Sequence, residues 1–365
     1  MASLSAPNIK NLDDISQPQK ASIIDLFCGA GGLSHGFKLE GFNITAGIDS
    51  DEACRFPFEL NNSAPFTRYD INQLKPEDLN SMFMPSFSKI LIGCAPCQLF
   101  STYNQNNKDP KWSLLEVFAD LIIATKPDII SMENVPRLLN FRGGEVFDNF
   151  VRKIEGAGYF ISKSIVYAPD YGVPQTRSRL VLLGSLHGYF ELGPPTHVPA
   201  EYPTVADTLR GLPPLEAGGV DKQDPIHCAS TLSAKNMARI KESKPGGTWK
   251  DWKQDLVADC HRSSKGSTYI SVYGRMAWDS LSPTITTQFY GFGNGRFGHP
   301  EQDRALSLRE GALLQTFPDT YKFVPPGDPV YMKVVGRMIG NAVPVNLARA
   351  IARAISAHLK DIEND

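Results

Sequence analysis

Short apolar runs alternate with amphipathic stretches through the first half of the chain. Ser22 to Phe27 reads as a strand, the Gly-rich turn Cys28 to Gly32 follows it, and helical spacing takes over from Leu33 to Glu40. Further strands are expected at Ile44 to Ile48, Phe66 to Ile71, Lys89 to Gly93, Ile129 to Met132, Tyr159 to Tyr167 and Leu180 to Ser185. Helices are expected over Asp51 to Asn61, Trp112 to Thr125 and Gly144 to Gly158. This alternation predicts an α/β fold, a parallel-rich sheet with helices on both faces. After Leu186 the pattern breaks, because Pro, Gly and aromatic residues crowd Gly193 to Gly298 without long periodic segments. The expected organisation is a polar tail over 1–20, an α/β domain over 21–192, a smaller irregular domain over 193–298, and a segment over 299–365 that returns to the α/β domain. In that last segment Leu347, Ile351 and Ile355 share one face of a helix expected over Pro344 to Ala357, which should pack on the first domain.

Composition narrows the class. A chain of 365 residues with 42% apolar and 21% charged residues suits a soluble globular protein. No apolar run approaches the roughly eighteen residues of a membrane span. Met1 to Lys20 lacks a secretory pattern, so a cytoplasmic location away from membranes is expected. Six cysteines point to thiols kept for chemistry or packing in a reducing compartment. The net charge of -2 argues against a nucleic-acid partner, but the segment His227 to Pro300 alters that picture with ten Lys or Arg against five Asp or Glu. Interleaved with Trp249, Trp252, Tyr269, Tyr273, Trp278 and Tyr290, it suits a phosphate-contacting surface, although a solvated face fits composition alone equally well.

The turn Asp25-Leu-Phe-Cys-Gly-Ala-Gly-Gly32 departs from the dinucleotide fingerprint in its leading acid and its glycine spacing, which disfavours a phosphate cradle. Gly29, Gly31 and Gly32 still let a ligand approach the backbone, and the helix start near Gly32 can hold a carboxylate such as that of a methionine moiety. Asp49, at the end of the second strand, is placed for two ribose hydroxyls. Asp70, with Ile71 beside it, is placed for an adenine amino group, and Phe27 for stacking on the ring. Together these residues favour S-adenosylmethionine as the cofactor.

Cys97 lies in GCAPCQLFS directly after one strand, and Glu133 in an ENV tripeptide after the next. A thiolate nucleophile and a carboxyl group on a ring nitrogen, delivered from neighbouring strand ends, can grip one planar heterocycle such as cytosine. Cys94-Ala-Pro-Cys97 also spells a redox or zinc pattern. The remaining candidate ligands, His227-Cys228 and Cys260-His261, are adjacent pairs without the usual gap, so no metal is expected. A free thiol is only a few per cent ionised at neutral pH, and Arg177 and Arg179 could help it.

From Ile23 to about Ala357 the chain resembles the DNA (cytosine-5)-methyltransferase family. DLFCGAGG is similar to that family's cofactor motif, PCQ with Cys97 to its nucleophile motif, ENV with Glu133 to its base-gripping motif, and QTRSR, Gln175 to Arg179, to its basic motif. HPEQDRALSLREGALLQTFPD, from His299, resembles the motif that packs under the recognition domain, and GNAVPVNLARAIA, from Gly340, the last motif. The resemblance implies a Rossmann-like S-adenosylmethionine-dependent methyltransferase sheet with a target-recognition domain over 193–298, and a cofactor pocket completed by Asn341. It also implies that Arg179, with Arg177 behind it, holds the cytosine carbonyl oxygen. The target base must swing out of double-stranded DNA, and the Asn-rich stretch Leu99 to Lys111 reads as a loop that closes over it. Gln98, just before that loop, and Ser101 within it are expected loop and backbone contacts to DNA, and Arg262, Lys265, Arg275 and Arg296 are expected phosphate or guanine contacts. The two site strands are expected to flank the cofactor strand at a topological switch point.

Two positions depart from the family pattern. Cys94 introduces a second thiol that could pair oxidatively with Cys97, and Asp49 stands where glutamate is commoner. A transfer-RNA cytosine methyltransferase and a C-x-x-C oxidoreductase are the rival readings. A cognate restriction endonuclease acting without a stable complex, a monomeric state and, in a bacterium, association with the nucleoid complete the expectations.

Overall fold

The computed structural model describes residues 20–95, 113–264 and 266–364. Its central sheet has seven strands, β1 (Ala21–Leu26), β2 (Ile44–Asp49), β3 (Phe66–Arg68), β4 (Ser88–Gly93), β5 (Ile129–Asn134), β6 (Phe160–Tyr167) and β8 (Ser178–Ser185), in the order β3-β2-β1-β4-β5-β8-β6. The first five run parallel, and β8 is antiparallel to both β5 and β6. Two-residue strands β7 (Gln175–Thr176) and β9 (Ser282–Pro283) form a separate parallel pair.

Strict alternation within the strands builds two cores, one on each face of the sheet. Ile23, Ile90, Ile92, Val181 and Leu183 face one side, where α1 (Gly32–Leu39) and the long α11 (Val345–Asn364) cover them with Phe37, Leu347, Ile351 and Ile355. Ile24, Leu26, Leu91, Ile130, Met132, Leu180 and Leu182 face the other side, against α4 (Ser113–Thr125) and α5 (Glu145–Gly156) through Phe118, Ile122, Phe147 and Ile154. The expected helix-on-both-faces architecture is present. The final helix runs seven residues beyond Ala357, to Asn364.

Three element boundaries move for identifiable reasons. The strand expected to reach Ile71 stops at Arg68, because the Asp70 side chain accepts from Asn72 N at 3.0 Å and starts a tight turn. The helix expected from Asp51 begins instead at Arg55 in α2 (Arg55–Asn62), after a 3-10 turn opened by Asp51. Most consequential, β5 does not end at Met132. Antiparallel β8 continues the ladder past the end of β4, pairing Glu133 with Val181 and Asn134 with Leu180. Glu133 is therefore part of the sheet.

Beyond β8 regular structure is sparse: α6 (Val205–Leu209), α7 (Ala234–Glu242) and α8 (Asp259–Arg262) are short. Val205, Leu209, Ile226, Met276, Ile285 and Phe289 join the core under α11, whereas Ile240, Trp249, Trp252, Val257, Val272 and Phe292 gather into a third, small core. The chain then returns through α9 (Leu308–Leu314) and α10 (Met332–Asn341). Arg304, fully buried, places both terminal nitrogens on Glu310 at 2.7 Å, and Glu310 closes the capping box of α9 with Ser307.

Helix α1 and helix α11 meet without room for a side chain at Gly36, where an added Cβ would overlap the Ala348 methyl and lie 2.8 Å from its carbonyl carbon. Gly36→Ala should cost about 1–3 kcal/mol through overpacking and lower the urea midpoint without changing the slope of the transition.

Candidate active site

At the C-terminal end of β1 the chain turns sharply, with positive φ at Phe27 (60°), Gly29 (51°) and Gly31 (88°). The turn opens a cavity of about 500 Å³, within the ~300–1,000 Å³ of small-molecule sites. It lies where β2 and β4 part on either side of β1, the switch point of the sheet. Phe27, Gly29, Gly32, Asp49, Asp70, Ile71 and Asn341 all line it, as the sequence suggests. Gly31 does not: its missing Cβ faces Asn62 and the Phe58 ring, so this glycine serves close packing. Gly32 leaves space for Val343 O, which an added Cβ would approach to 2.7 Å, bringing the chain beyond α10 against the start of α1.

Asp49 is preorganised by two backbone donors, Gly29 N and Asp51 N, each at 2.9 Å. Sequence reasoning passes over Asp51 and Arg337, which form an ion pair at the cavity wall. The available signal was that Arg337 stands one helical turn before Asn341 on α10. Asp25 is 1% exposed. Ser34 Oγ donates to its Oδ2 at 2.6 Å, while its buried Oδ1 has no hydrogen-bond partner among the described residues. Burial pushes its carboxyl up to about 7 against the Ser34 hydrogen bond, and the charge of Asp49 adds to the rise. Cys28 and Cys54 also line the cavity, and burial reinforced by the neighbouring aspartates raises both thiols.

Beside this cavity stands Glu133, 2% exposed. Arg179 Nε lies 2.9 Å from its Oε1, and the Cys94 thiol donates to its Oε2 at 3.0 Å. Arg179 thus serves the acid, and its Nη1 is held by Ser178 O at 2.7 Å. Arg177 is buried, with Nη1 on Ile285 O at 3.2 Å and Nη2 on Ala342 O at 3.3 Å, linking the basic motif to the end of α10. Asn134 Nδ2 donates to Ala95 O at 3.1 Å, tying the ENV strand to the chain directly after β4. The ENV spacing names the acid but gives no sign of this tie.

Several expectations change. The two site strands do not flank the cofactor strand, since β1 lies between β2 and β4 and β5 is one strand further out. Arg275 is not a DNA contact: only 5% exposed, it donates to the carbonyls of Ile240, Ser243, His299 and Gln302 and pairs with Asp303. A guanidinium enclosed by carbonyls is a structural clamp. Arg262 is half-exposed with Nη2 on Gln254 O at 2.6 Å, and Arg296 is exposed. Cys97, Gln98, Ser101, Lys265 and the proposed closing loop Leu99 to Lys111 lie outside the described residues. Among the described residues no His, Cys, Asp or Glu cluster could hold a metal, and no helix is long and apolar enough to cross a membrane.

The model of the C-5 cytosine-specific DNA methylase family matches residues 21–357. The type II methylase M.HgiDII of Herpetosiphon aurantiacus is 51% identical over 93% of this chain and 96% of its own. The type II methyltransferase M.DdeI of Desulfomicrobium norvegicum is 31% identical over 93% of this chain and 90% of its own. In fold, the chain is similar to a candidate DNA modification methyltransferase encoded in an E. coli prophage (TM-score 0.72, 23% identity, covering 93% of this chain and 99% of that one). It is also similar in fold to the S. pombe Dnmt2 methyltransferase (TM-score 0.59, 16% identity, 92% and 99%).

Asp25 gives the site a pH signature. Its folded carboxyl binds protons more tightly than the unfolded one, so its contribution to stability is lost as pH rises from about 4 toward about 7. Asp25→Asn, which cannot ionise, should therefore gain melting temperature relative to the parent as pH is raised from about 4 to about 8 in calorimetric scans. A constant difference over that range would refute the assignment.

Proposed function

The chain belongs to the C-5 cytosine-specific DNA methylase family, and from that premise we propose that it moves a methyl group from S-adenosylmethionine to carbon 5 of a cytosine turned out of double-stranded DNA, through a transient bond to Cys97. The observation that carries this reading is the Glu133 carboxyl, almost wholly buried at the crevice end of β5 with Arg179 on one oxygen. Burying a charge is costly without a partner, and an acid with a guanidinium beside it suits the recognition of one planar polar edge.

The cavity fits the proposed donor. Among the described residues four aspartates, Asp25, Asp49, Asp51 and Asp70, line it against one arginine, Arg337, which is itself paired with Asp51. That donor set suits a ligand carrying positive charge, and the buried orphan oxygen of Asp25 lacks the donor that such a ligand brings. Asp49 would hold the ribose hydroxyls, Asp70 the adenine amine, Phe27 the ring face and Asn341 the opposite rim. S-adenosylmethionine supplies, when bound, an electrophilic methyl that an electron-rich carbon 5 can take.

The chain's own residues must make carbon 5 electron-rich. The Cys97 thiolate bonds to carbon 6, breaking the aromatic conjugation and pushing an electron pair toward carbon 5 and ring nitrogen 3. Glu133 donates to that nitrogen and accepts from the exocyclic amine, while Arg179 holds the carbonyl oxygen and offsets its developing charge. After methylation a water removes the proton from carbon 5, the pair re-forms the ring double bond, and the sulfur leaves. The segment 193–298 would act as the target-recognition unit, with exposed Arg296 and half-exposed Arg262 as its candidate contacts. We further propose that the chain is the monomeric modification partner of a type II restriction endonuclease, without a stable complex, in the cytoplasm at the nucleoid. The names of M.HgiDII and M.DdeI support this system.

Bisulfite sequencing of DNA from cells expressing the chain should reveal 5-methylcytosine at one short recurring sequence. Cys97→Ser should abolish it, and Glu133→Gln should lower kcat about a hundredfold or more. Methylation undiminished in Cys97→Ser, or modification of transfer RNA in place of DNA, would overturn the reading.

A further inference from the structure

We infer that Cys94 is a positioning residue for Glu133, its thiol holding the carboxyl group in the orientation that meets the cytosine edge. The inference rests on the reading of Glu133 as the base-gripping acid. Cys94 is the first residue beyond β4, and Gly93 pairs with Met132, so the next position brings Cys94 level with Glu133 on the adjacent strand. Parallel neighbours at one level stand about 4.8 Å apart, close enough for side chains on the same face to touch. The contact is made: Cys94 Sγ donates to Glu133 Oε2 at 3.0 Å, while Arg179 Nε faces Oε1 at 2.9 Å as an ion pair without hydrogen-bond alignment. Among the described residues the thiol is thus the hydrogen-bond donor that orients this carboxyl group.

The division of labour follows from donor strength. A guanidinium is a charged donor that stays with a carboxylate, whereas a thiol is a weak donor that yields readily to a better one. The exocyclic amine of cytosine is such a donor. Cys94 therefore keeps Oε2 oriented in the free enzyme and gives it up when the base arrives, so the carboxyl need not reorient. Glycine or alanine here would leave Oε2 of the buried Glu133 without this donor. Cys94 also lines the cofactor cavity, and Glu133 is not among the residues that do. The thiol thus stands between the cavity and the acid, which makes a second role as mere cavity wall the alternative to be separated.

The test uses the full chain and an oligonucleotide duplex carrying 5-fluorocytosine, in which the covalent adduct accumulates. Cys94→Ala should slow single-turnover adduct formation about fivefold, with the KM for DNA changed less than twofold. S-adenosylmethionine affinity, measured by calorimetry, should stay within twofold of the parent. Cys94→Ser, which restores an O–H donor, should recover the rate to within about twofold. In a Glu133→Gln background Cys94→Ala should make no further difference, because the thiol acts through the acid. Equal losses in both backgrounds, no recovery by serine, or a loss confined to cofactor affinity would each overturn the inference. Absence of any adduct with the unaltered chain would overturn the reading of the site itself, and the inference with it.

Discussion

A carboxyl group can be buried at the end of β5 only because a guanidinium on the neighbouring strand meets it, and that pairing depends on β8 running against the rest of the sheet. A parallel strand in that place would reach the crevice with its opposite end. Running antiparallel, β8 begins at the crevice and presents Arg179 there at once, while its ladder to β5 extends two residues past the end of β4. One topological choice therefore buries the acid, supplies its counter-charge and sets the level at which Cys94 meets it. Asn134 completes the arrangement by holding Ala95 O at 3.1 Å, so the chain just beyond β4 is tied to the acid's own strand.

The closing third of the chain finishes what the sheet begins. Gln175 donates to Leu314 O and to Gln315 Oε1, Gln315 donates to Ile339 O, and Arg177 reaches Ala342 O. These buried amides and the guanidinium fix α9 and α10 to the strand that carries the basic motif, which sets Asn341 and Arg337 at the cavity. Buried polar networks of this kind specify one arrangement because each member left unsatisfied would be costly. Gly36 and Gly32 make the complementary contribution by removing side chains where α11 and Val343 press on α1.

Basic residues in the segment after β8 divide into two kinds that composition cannot tell apart. Arg275 and Arg239 are interior, the first enclosed by four carbonyls and the second donating to Leu256 O at 2.8 Å, and together they support the irregular chain that regular hydrogen bonding does not. Arg296 and Arg262 reach solvent. The positive surplus of this segment therefore overstates the charge available to a phosphate backbone, since part of it is spent on internal carbonyls and carboxylates.

The order of strands and helices, the glycine turn after β1, and the chemical identity of Asp49, Asp70, Glu133 and Asn341 were legible in the chain, because periodicity and short motifs are local properties. Residues named in DLFCGAGG and GNAVP line the cavity, whereas Gly31 does not, since its neighbours Asn62 and Phe58 come from a distant helix. Partnership is not local. Nothing near Arg275 in sequence announces the carbonyls of Ile240 and Gln302, and nothing near Cys94 announces Glu133, thirty-nine residues away. Residue type and spacing determined what chemistry each position could offer. Only the packed sheet decided which side chains were left facing the crevice and which were consumed in holding it, because burial and hydrogen-bond partners come from strands and helices far apart along the chain.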